Sequence, residues 1–298
     1  MGKLTLETIY NNMVCSAPKG AELTIEYMPE CFEHDATDND SPHVHTFYEI
    51  IWFTEGGGTH TVDFKEYRVE RNSLFFLSPG QVHFFDHAKG HKGILLRFCT
   101  DFLKEETAKY DMFLKYSLFN AFDALPYCTV SDETARTLYA LIGNIQEEQG
   151  NGGMVGHVEM IRSLARIFLI VIHRYCEKTA DSHSLSELKA THRLFVAFRK
   201  MVEQHYSDMR SVAEYADKLN VSPKTLHNCV MECSGKTPFT YINDRIMLEA
   251  RRLLRFSGMM VKEIAGYLGF EDPSYFVKFF KRQTGYLPSA YREMEEGR

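Results

Sequence analysis

Residues 261–292 are VKEIAGYLGFEDPSYFVKFFKRQTGYLPSAYR, and residues 212–242 are VAEYADKLNVSPKTLHNCVMECSGKTPFTYI. The two stretches share apolar, glycine and proline positions, which are 49 residues apart as far as Phe270 and 50 residues apart from Pro273 onward. A period that holds over so many core and turn positions indicates one supersecondary unit that is built twice.

Each copy is predicted to contain a short helix, a sharp turn and a second helix. In the second copy, Ile264 and Leu268 have the i, i+4 spacing of a buried helix face. Gly269 lies where this helix must end, at a position open to positive φ. Asp272 and Pro273 form a strong start signal for the second helix, as its N-cap and first helical residue.

The first copy carries the same start signal in Ser222 and Pro223. A short turn between two helices is the arrangement that places the second, or recognition, helix in the major groove of DNA. A plain repeat of helical hairpins is the alternative interpretation. Because both copies combine a cap with a proline, the pattern favours two DNA-binding units.

The block from about Phe195 to Arg292 resembles the DNA-binding domain of AraC-family transcription regulators. Residues 263–292, EIAGYLGFEDPSYFVKFFKRQTGYLPSAYR, are similar to the signature of that family over its whole length. The resemblance implies two helix-turn-helix units joined by a long helix, here Pro238 to Phe256. At about 1.5 Å per residue this helix spans roughly 28 Å, so both recognition helices can enter successive major grooves on one face of DNA.

The resemblance and the helix positions together indicate which side chains face DNA. On the second recognition helix they are Pro273, Ser274, Val277, Lys278, Lys281 and Arg282, and on the first they are Lys224, Thr225, His227 and Asn228. The first helix departs from the family, because Asn228 and Met231 stand where arginine and lysine are usual. Since asparagine pairs with adenine through two hydrogen bonds, we expect an adenine in the half-site under this helix.

Charge is distributed unevenly along the 298 residues, a length that suits two domains. Residues 188–298 contain 18 Lys/Arg and 13 Asp/Glu, a net charge of +5, whereas the remainder contains 16 and 27, a net charge of −11. The basic end coincides with the repeat, as a phosphate-binding domain requires. The acidic remainder argues against DNA contact in that part of the chain.

Several features predict a cytoplasmic protein that does not enter the membrane. The start, MGKLTLETIY, is too polar for a secretory signal. The longest apolar stretch, residues 167–172, is too short to span a bilayer. Seven cysteines without a Cys-x-x-Cys pattern fit reduced thiols.

Between Phe47 and Phe98 the pattern changes to short aromatic and β-branched runs, namely FYEIIWF, THTVDF, SLFFL, VHFF and GILLRF. Glycine-rich and proline-containing turns separate them, so we expect a small β-barrel or jelly roll. From about Phe102 to Thr179 we expect helices, with apolar stripes in residues 134–149 and 155–175.

Histidines occupy suggestive positions in the predicted strands. His43, His45 and Glu49 form His-x-His-x3-Glu, followed after six residues by Gly56, and His83 ends a Pro-Gly-x-x-His pattern. This looks like the cupin motif pair, and many members of the resembled family carry an amino-terminal cupin. We expect His43 and His45 on one strand face, with His83 opposite them across the barrel.

The second motif departs from the cupin pattern, because one residue is missing between Pro79 and His83 and because His87 occupies the usual asparagine position. Three interpretations stay open. The histidines and Glu49 could hold a divalent transition metal in a site that is catalytic or not, they could form the polar wall of a metal-free pocket, or they could be structural.

The family resemblance favours the metal-free pocket of a ligand sensor, and hence no cofactor. The predicted ligand-binding residues are His43, His45, Glu49, Trp52, His83 and Phe85, with Phe47, Phe75 and Phe84 as further aromatic candidates. If a metal is present instead, its candidate ligands are His43, His45, Glu49 and His83.

The resulting fold class is α+β with two domains. Residues 1–180 are expected to form a cupin-like β-barrel with flanking helices, and residues 188–298 an all-α domain with two helix-turn-helix units. The polar stretch from Cys176 to Glu187 is the predicted linker. In the resembled family, helices beside the barrel mediate dimerisation; simple packing on the barrel is the alternative.

The predicted function is a sequence-specific transcription regulator, an activator, that responds to a small molecule and is not an enzyme. Its expected partners are double-stranded DNA, the effector, a second copy of the chain and RNA polymerase. One alternative is a metal-dependent cupin enzyme fused to a DNA-binding module. A constitutive DNA-binding regulator without a ligand is the other.

Overall fold

The computed structural model describes residues 14–15, 23–28, 41–85, 91–99, 102, 118–119, 126–179 and 190–296. The chain divides into two compact units, one within residues 13–184 (the β unit) and one within residues 185–298 (the helical unit). Part of the linker prediction is wrong, because residues 176–179 belong to a helix, His157–Thr179. The rest of the predicted linker and the domain boundary fall outside the described residues, as does His87.

The β unit contains ten strands among its described residues. They are β1 (Val14–Cys15), β2 (Leu23–Met28), β3 (Val44–His45), β4 (Tyr48–Phe53), β5 (Thr59–Val62), β6 (Lys65–Arg68), β7 (Ser73–Leu77), β8 (His83–Phe85), β9 (Gly93–Phe98) and β10 (Tyr127–Thr129). Five strands pair in the order β10-β7-β4-β9-β2, three in the order β6-β5-β8, and β1 pairs with β3.

The larger two sheets are antiparallel and enclose one apolar cluster, the inner core. It consists of Met28, Ile51, Phe53, Val62, Val69, Phe75, Leu77, Phe85 and Leu95. Since side chains alternate along a strand, Ile51 and Phe53 of β4 lie in this core, whereas Ile50 and Trp52 lie on the opposite face of the sheet. The five-stranded sheet is therefore buried on both faces.

Two helices cover that opposite face, α1 (Asp132–Gly150) and α2 (His157–Thr179). Helix α1 begins at Ser131, whose hydroxyl accepts a hydrogen bond from the Thr134 amide at 3.2 Å. Leu138 and Ile142 of α1 join one cluster with Trp52 and with Phe168 of α2. The apolar stripes predicted for these helices are thus their buried faces.

Two expectations for this region are wrong. The stretch predicted to be helical from Phe102 onward contains β10, which pairs with β7 at the edge of the five-stranded sheet. The cysteines are not all reduced, because Cys128 of β10 and Cys176 of α2 form a disulfide. Their separation of 48 residues is no sequence signal, and only the packing of α2 near β10 brings the two thiols together.

The helical unit contains seven helices among its described residues. They are α3 (Ala190–His205), α4 (Val212–Lys218), α5 (Pro223–Ser234), α6 (Pro238–Phe256), α7 (Val261–Tyr267), α8 (Pro273–Thr284) and α9 (Pro288–Glu296). The joining helix α6 has the predicted bounds. In the part of the chain that the structure describes, no helix is long and apolar enough to cross a membrane.

Caps delimit the recognition helices α5 and α8 as predicted. Ser222 accepts a hydrogen bond from the Thr225 amide at 3.0 Å, and Asp272 accepts one from the Ser274 amide at 2.8 Å. Both helices end at a glycine with positive φ, 67° at Gly235 and 83° at Gly285. A left-handed residue just past the helix satisfies its last carbonyls and turns the chain toward the next helix.

Candidate nucleic-acid interface and histidine cluster

The recognition helices each bury one face and expose the other. On α5 the buried residues are Leu226, Cys229 and Val230, and on α8 they are Phe276, Phe279 and Phe280. The predicted DNA-facing residues Lys224, Thr225, His227, Asn228, Pro273, Ser274, Lys278, Lys281 and Arg282 are exposed, and Val277 is half-buried. Tyr275, in the first turn of α8, is 56% exposed and was missed, because an aromatic residue in this pattern suggests core.

A buried charge network holds α6, which lies between the two recognition helices along the chain. Glu249 accepts hydrogen bonds from Arg245 at 3.0 Å and from Arg252 at 3.4 Å. Arg245 also donates to Glu203 of α3 at 2.9 Å and stacks on the ring of Tyr206 at 4.1 Å. Bonds of this kind fix one helix against another, so α6 cannot rotate on α3 without breaking them.

The histidine cluster lies where β3, β4 and β8 meet. His43 and His83 are directly paired, since each amide donates to the other's carbonyl, at 3.1 and 3.0 Å. The amide of Gly80 donates to the His45 carbonyl at 2.9 Å and so fixes the turn before β8 against β3. His83 therefore lies beside His43, and the prediction that it lies across the barrel is wrong. The shortened second motif nevertheless brings His83 to His45.

Four buried side chains converge in this cluster: His43, His45, His83 and Glu49 are each at most 4% exposed. The Nε2 atoms of His45 and His83 are 2.6 Å apart. Glu49 Oε2 lies 3.2 Å from the first of these nitrogens and 3.7 Å from the second. One candidate ligand atom from each of the three histidines lies within 4.8 Å of the others.

Two residues that the sequence analysis missed support the cluster. Arg97 of β9 donates to Glu49 at 2.7 Å and to Glu26 at 2.9 Å. His60 of β5 is fully buried, and its Nε2 lies 3.1 Å from Nδ1 of His83. Signals for both exist in the sequence: Arg97 interrupts the apolar run GILLRF, and His60 alternates with Val62 on the inward face of its strand.

Burial sets the protonation of the cluster. It lowers the pKa of His43 to about 4 and of His60 to about 3, and it lowers the pKa of His83 well below its ordinary value. Burial alone raises the pKa of Glu49, but His45 and Arg97 outweigh this effect and keep that pKa below its ordinary value. At neutral pH these three imidazoles are therefore neutral, and Glu49 is a carboxylate.

The predicted aromatic lining is only partly near the histidines. The Phe47 ring lies 4.5 Å from that of His45, and Phe85 stacks on His60 at 4.7 Å. The prediction for Trp52 is wrong, because Trp52 and Glu49 are three residues apart on β4 and therefore face opposite ways. Trp52 packs against Tyr139 of α1, with ring centroids 4.4 Å apart.

The predicted Phe75 lies on the inner side, with its ring 4.5 Å from that of His60. Phe84 is half-buried. It alternates with His83 and Phe85 along β8, and this alternation puts it on the face away from the inner core.

Family models match both units. A model described as a helix-turn-helix domain matches residues 215–294, and a model of an AraC-like ligand binding domain matches residues 27–159. The transcriptional activator RhaS of Shigella flexneri is 23% identical over 282 residues, and the match covers 92% of this chain and 97% of that protein.

Solved structures also match this chain, over part or most of its length. ToxT from Vibrio cholerae with a bound unsaturated fatty acid is 16% identical over 85% of this chain and 88% of that chain, with a TM-score of 0.39. The DNA-binding domain of AdpA, in complex with a target DNA, is 28% identical over 35% of this chain and 93% of that chain, with a TM-score of 0.32.

Proposed function

This chain belongs to the AraC family of transcription regulators, and we propose that α5 and α8 bind neighbouring major grooves of one DNA duplex under the control of a small molecule in the β unit. The observation that carries the proposal is the pair of capped recognition helices, each with a buried apolar face and an exposed polar face. A helix of this kind can enter a major groove and present side chains to base edges.

Selection from a random double-stranded DNA library with the full chain tests this proposal. We expect a motif with two boxes whose centres are about 10 base pairs apart, since the recognition helices flank a helix of roughly 28 Å. One box should contain an adenine that Asn228 pairs with, and Asn228→Ala should relax the preference at that base alone. A single short box, or no enriched sequence, contradicts the proposal.

Lys278 is exposed on α8 beside the proposed base contacts. Lys278→Ala should weaken binding to the selected duplex by about 1–3 kcal/mol if the ammonium contacts a base. Fluorescence anisotropy at a constant salt concentration measures this change. Lys65→Ala is the matched control, because Lys65 is also exposed but lies on β6 of the β unit. Equal affinities for both variants would remove Lys278 from the interface.

The effector site belongs to the proposal as well. Its support is the buried polar cluster of His43, His45, His83 and Glu49, next to Phe85 and within the region that matches a ligand-binding domain. A screen of metabolites for compounds that change the affinity of the full chain for the selected duplex tests it. A constitutive regulator would bind with the same affinity in the presence of every compound. The proposal assigns no reaction to the β unit.

We further propose a homodimer formed through α2. Met160 and Ile167 of this helix are 52% and 46% exposed, and the half-buried Leu164 and Val171 complete a stripe with spacings of four, three and four residues. This is the apolar repeat of a two-helix seam. A second copy of the chain carries the same stripe and can therefore pair with it across a two-fold axis.

Ile167→Glu should weaken this dimer at least tenfold, because it adds a charge to the centre of the seam. Sedimentation equilibrium of the full chain measures the effect. Ser163→Glu adds the same charge to an exposed position of α2 outside the stripe and should leave the mass unchanged. A wild-type monomer, or identical masses for the two variants, argues against this interface.

RNA polymerase is the proposed partner for activation, supported by the full-length similarity to an activator. The proposed DNA target also supports the cytoplasmic location expected from the sequence.

A further inference from the structure

We infer that His43, His45, His83 and Glu49 form a binding site for one divalent first-row transition-metal ion. The family resemblance favours a metal-free pocket, whereas the geometry of the four side chains favours a metal site. All four side chains are buried, and one ligand atom from each of the three histidines lies within 4.8 Å of the others. Imidazole and carboxylate together suit zinc, iron, nickel or copper better than magnesium or calcium.

Outer contacts leave the required lone pairs available. Nδ1 of His43 lies 2.9 Å from the Ser41 carbonyl oxygen. A carbonyl only accepts, so Nδ1 carries the proton and Nε2 carries the lone pair. This Nε2 atom is buried and has no hydrogen-bond partner among the described residues. An unpartnered buried acceptor is costly, and a bound cation would remove the cost.

His83 is arranged in a similar way. Its Nδ1 atom lies 3.1 Å from Nε2 of His60, so donation to His60 leaves the lone pair of His83 Nε2 directed toward His45 and Glu49. Ligating histidines commonly donate their other ring nitrogen to an outer partner, which fixes both the tautomer and the ring orientation. His60 therefore has a positioning role in the proposed site.

The charges also suit a cation. Arg97 bonds to Oε1 of Glu49, so Oε2 stays directed toward the two histidine Nε2 atoms. Glu49, Glu26 and Arg97 together carry a net charge of −1. This negative charge attracts a divalent cation.

The distance between His45 and His83 requires only a small adjustment. Two nitrogens that each lie about 2.0–2.1 Å from one tetrahedral zinc ion are about 3.3 Å apart. The Nε2 atoms of His45 and His83 are 2.6 Å apart, a spacing at which they can share only one proton in the absence of an ion. Movement of each imidazole by a few tenths of an ångström therefore converts this contact into a pair of ligands.

The inference does not depend on the proposed function, because metal binding is measured without DNA and without an organic effector. The experiment uses the full chain produced without a histidine tag, stripped with a chelator and dialysed. Titration with Co²⁺ should show saturation at one equivalent, with a visible absorption band of nitrogen and oxygen ligands. Zn²⁺ should then displace Co²⁺.

Three variants, His43→Ala, His83→Ala and Glu49→Gln, should each bind Co²⁺ at least tenfold more weakly. His157→Ala is the matched control, since His157 is a partly exposed histidine of α2 that pairs with Glu148 outside the cluster. It should bind like the wild type. Circular dichroism identifies any variant that fails to fold. The folded variants and the Co²⁺ absorption spectrum of the wild type then decide whether the metal site exists.

Two results overturn the inference. One is a wild-type chain that binds less than a tenth of an equivalent of either metal. The other is a set of folded ligand variants with the affinity of the wild type. A bound ion would not by itself make the β unit an enzyme, because a reaction also requires an open coordination position and a substrate.

Discussion

Gly269→Ala should lower the free energy of unfolding of the helical unit by about 3 kcal/mol or more, through two added effects. Gly269 has a φ of +74°, where an alanine is strained. A Cβ atom there would also overlap the backbone carbonyl oxygen of Ser207. A backbone atom cannot move aside by a change of rotamer, so the main chain itself would have to shift. The turn between α7 and α8 would shift, and the affinity of the chain for the selected DNA duplex should fall as a result.

Variants of two other glycines distinguish the backbone strain from the steric overlap. Gly285 has a φ of +83° but open space around it, so Gly285→Ala should cost only the backbone strain, about 1–2 kcal/mol. Gly266 lies inside α7 without a close neighbour, and Gly266→Ala should stabilise the unit by up to about 1 kcal/mol. If Gly269→Ala and Gly285→Ala cost the same, the close approach to Ser207 is not what matters.

Urea denaturation of the full chain measures this series with two probes. The only tryptophan of the chain, Trp52, lies in the β unit and reports that unit by its fluorescence. Circular dichroism reports the helices, and most of those that the structure describes lie in the helical unit. The glycine variants should move the circular dichroism transition and leave the Trp52 transition in place.

Glu249→Gln should destabilise the helical unit by about 3 kcal/mol, because removal of one partner leaves buried charges poorly compensated. Glu249 is 4% exposed and Arg252 is 1% exposed, so water cannot replace the lost carboxylate. The amide keeps the size of the side chain, which limits the change to charge and hydrogen bonding. The same two-probe denaturation measures the effect.

Asp244→Asn is the matched control on the same helix. Asp244 pairs with Lys236 at 2.9 Å, but both side chains are more than a third exposed, at 38% for Asp244 and 34% for Lys236. Solvent screens such a pair, and its loss should cost no more than about 1 kcal/mol. A similar loss of stability for both variants would show that the Glu249 network contributes no more than a surface ion pair.

The helical unit could be predicted closely because its signals are local. Each of α5, α6 and α8 begins with a capping residue followed by proline, a signal of two adjacent residues. A glycine with positive φ ends α5 and α8. Apolar spacing within twelve residues separates the buried face of α8 from its exposed face. None of these features depends on a distant residue.

The histidine cluster could be predicted only as a set of residue types. The pattern of His43, His45 and Glu49 lies within seven residues, and its convergence needs only β3, β4 and the two residues between them. The position of His83 depends on the pairing of β8 with the segment before β3. His83 was expected on the opposite side of the barrel from His43 and His45. The roles of His60 and Arg97 depend on contacts over 23 and 48 residues.

The sequence by itself determined the repeated helix-turn-helix units, their caps and bounds, the strand-rich amino-terminal part and the identity of the clustered histidines, because each is encoded within a few turns or one strand. Only the tertiary structure decided which face of β4 carries Trp52, that His83 lies beside His43, and that Cys128 meets Cys176. Strand register and helix packing set these contacts. They join residues that lie far apart along the chain, where no local pattern specifies the partner.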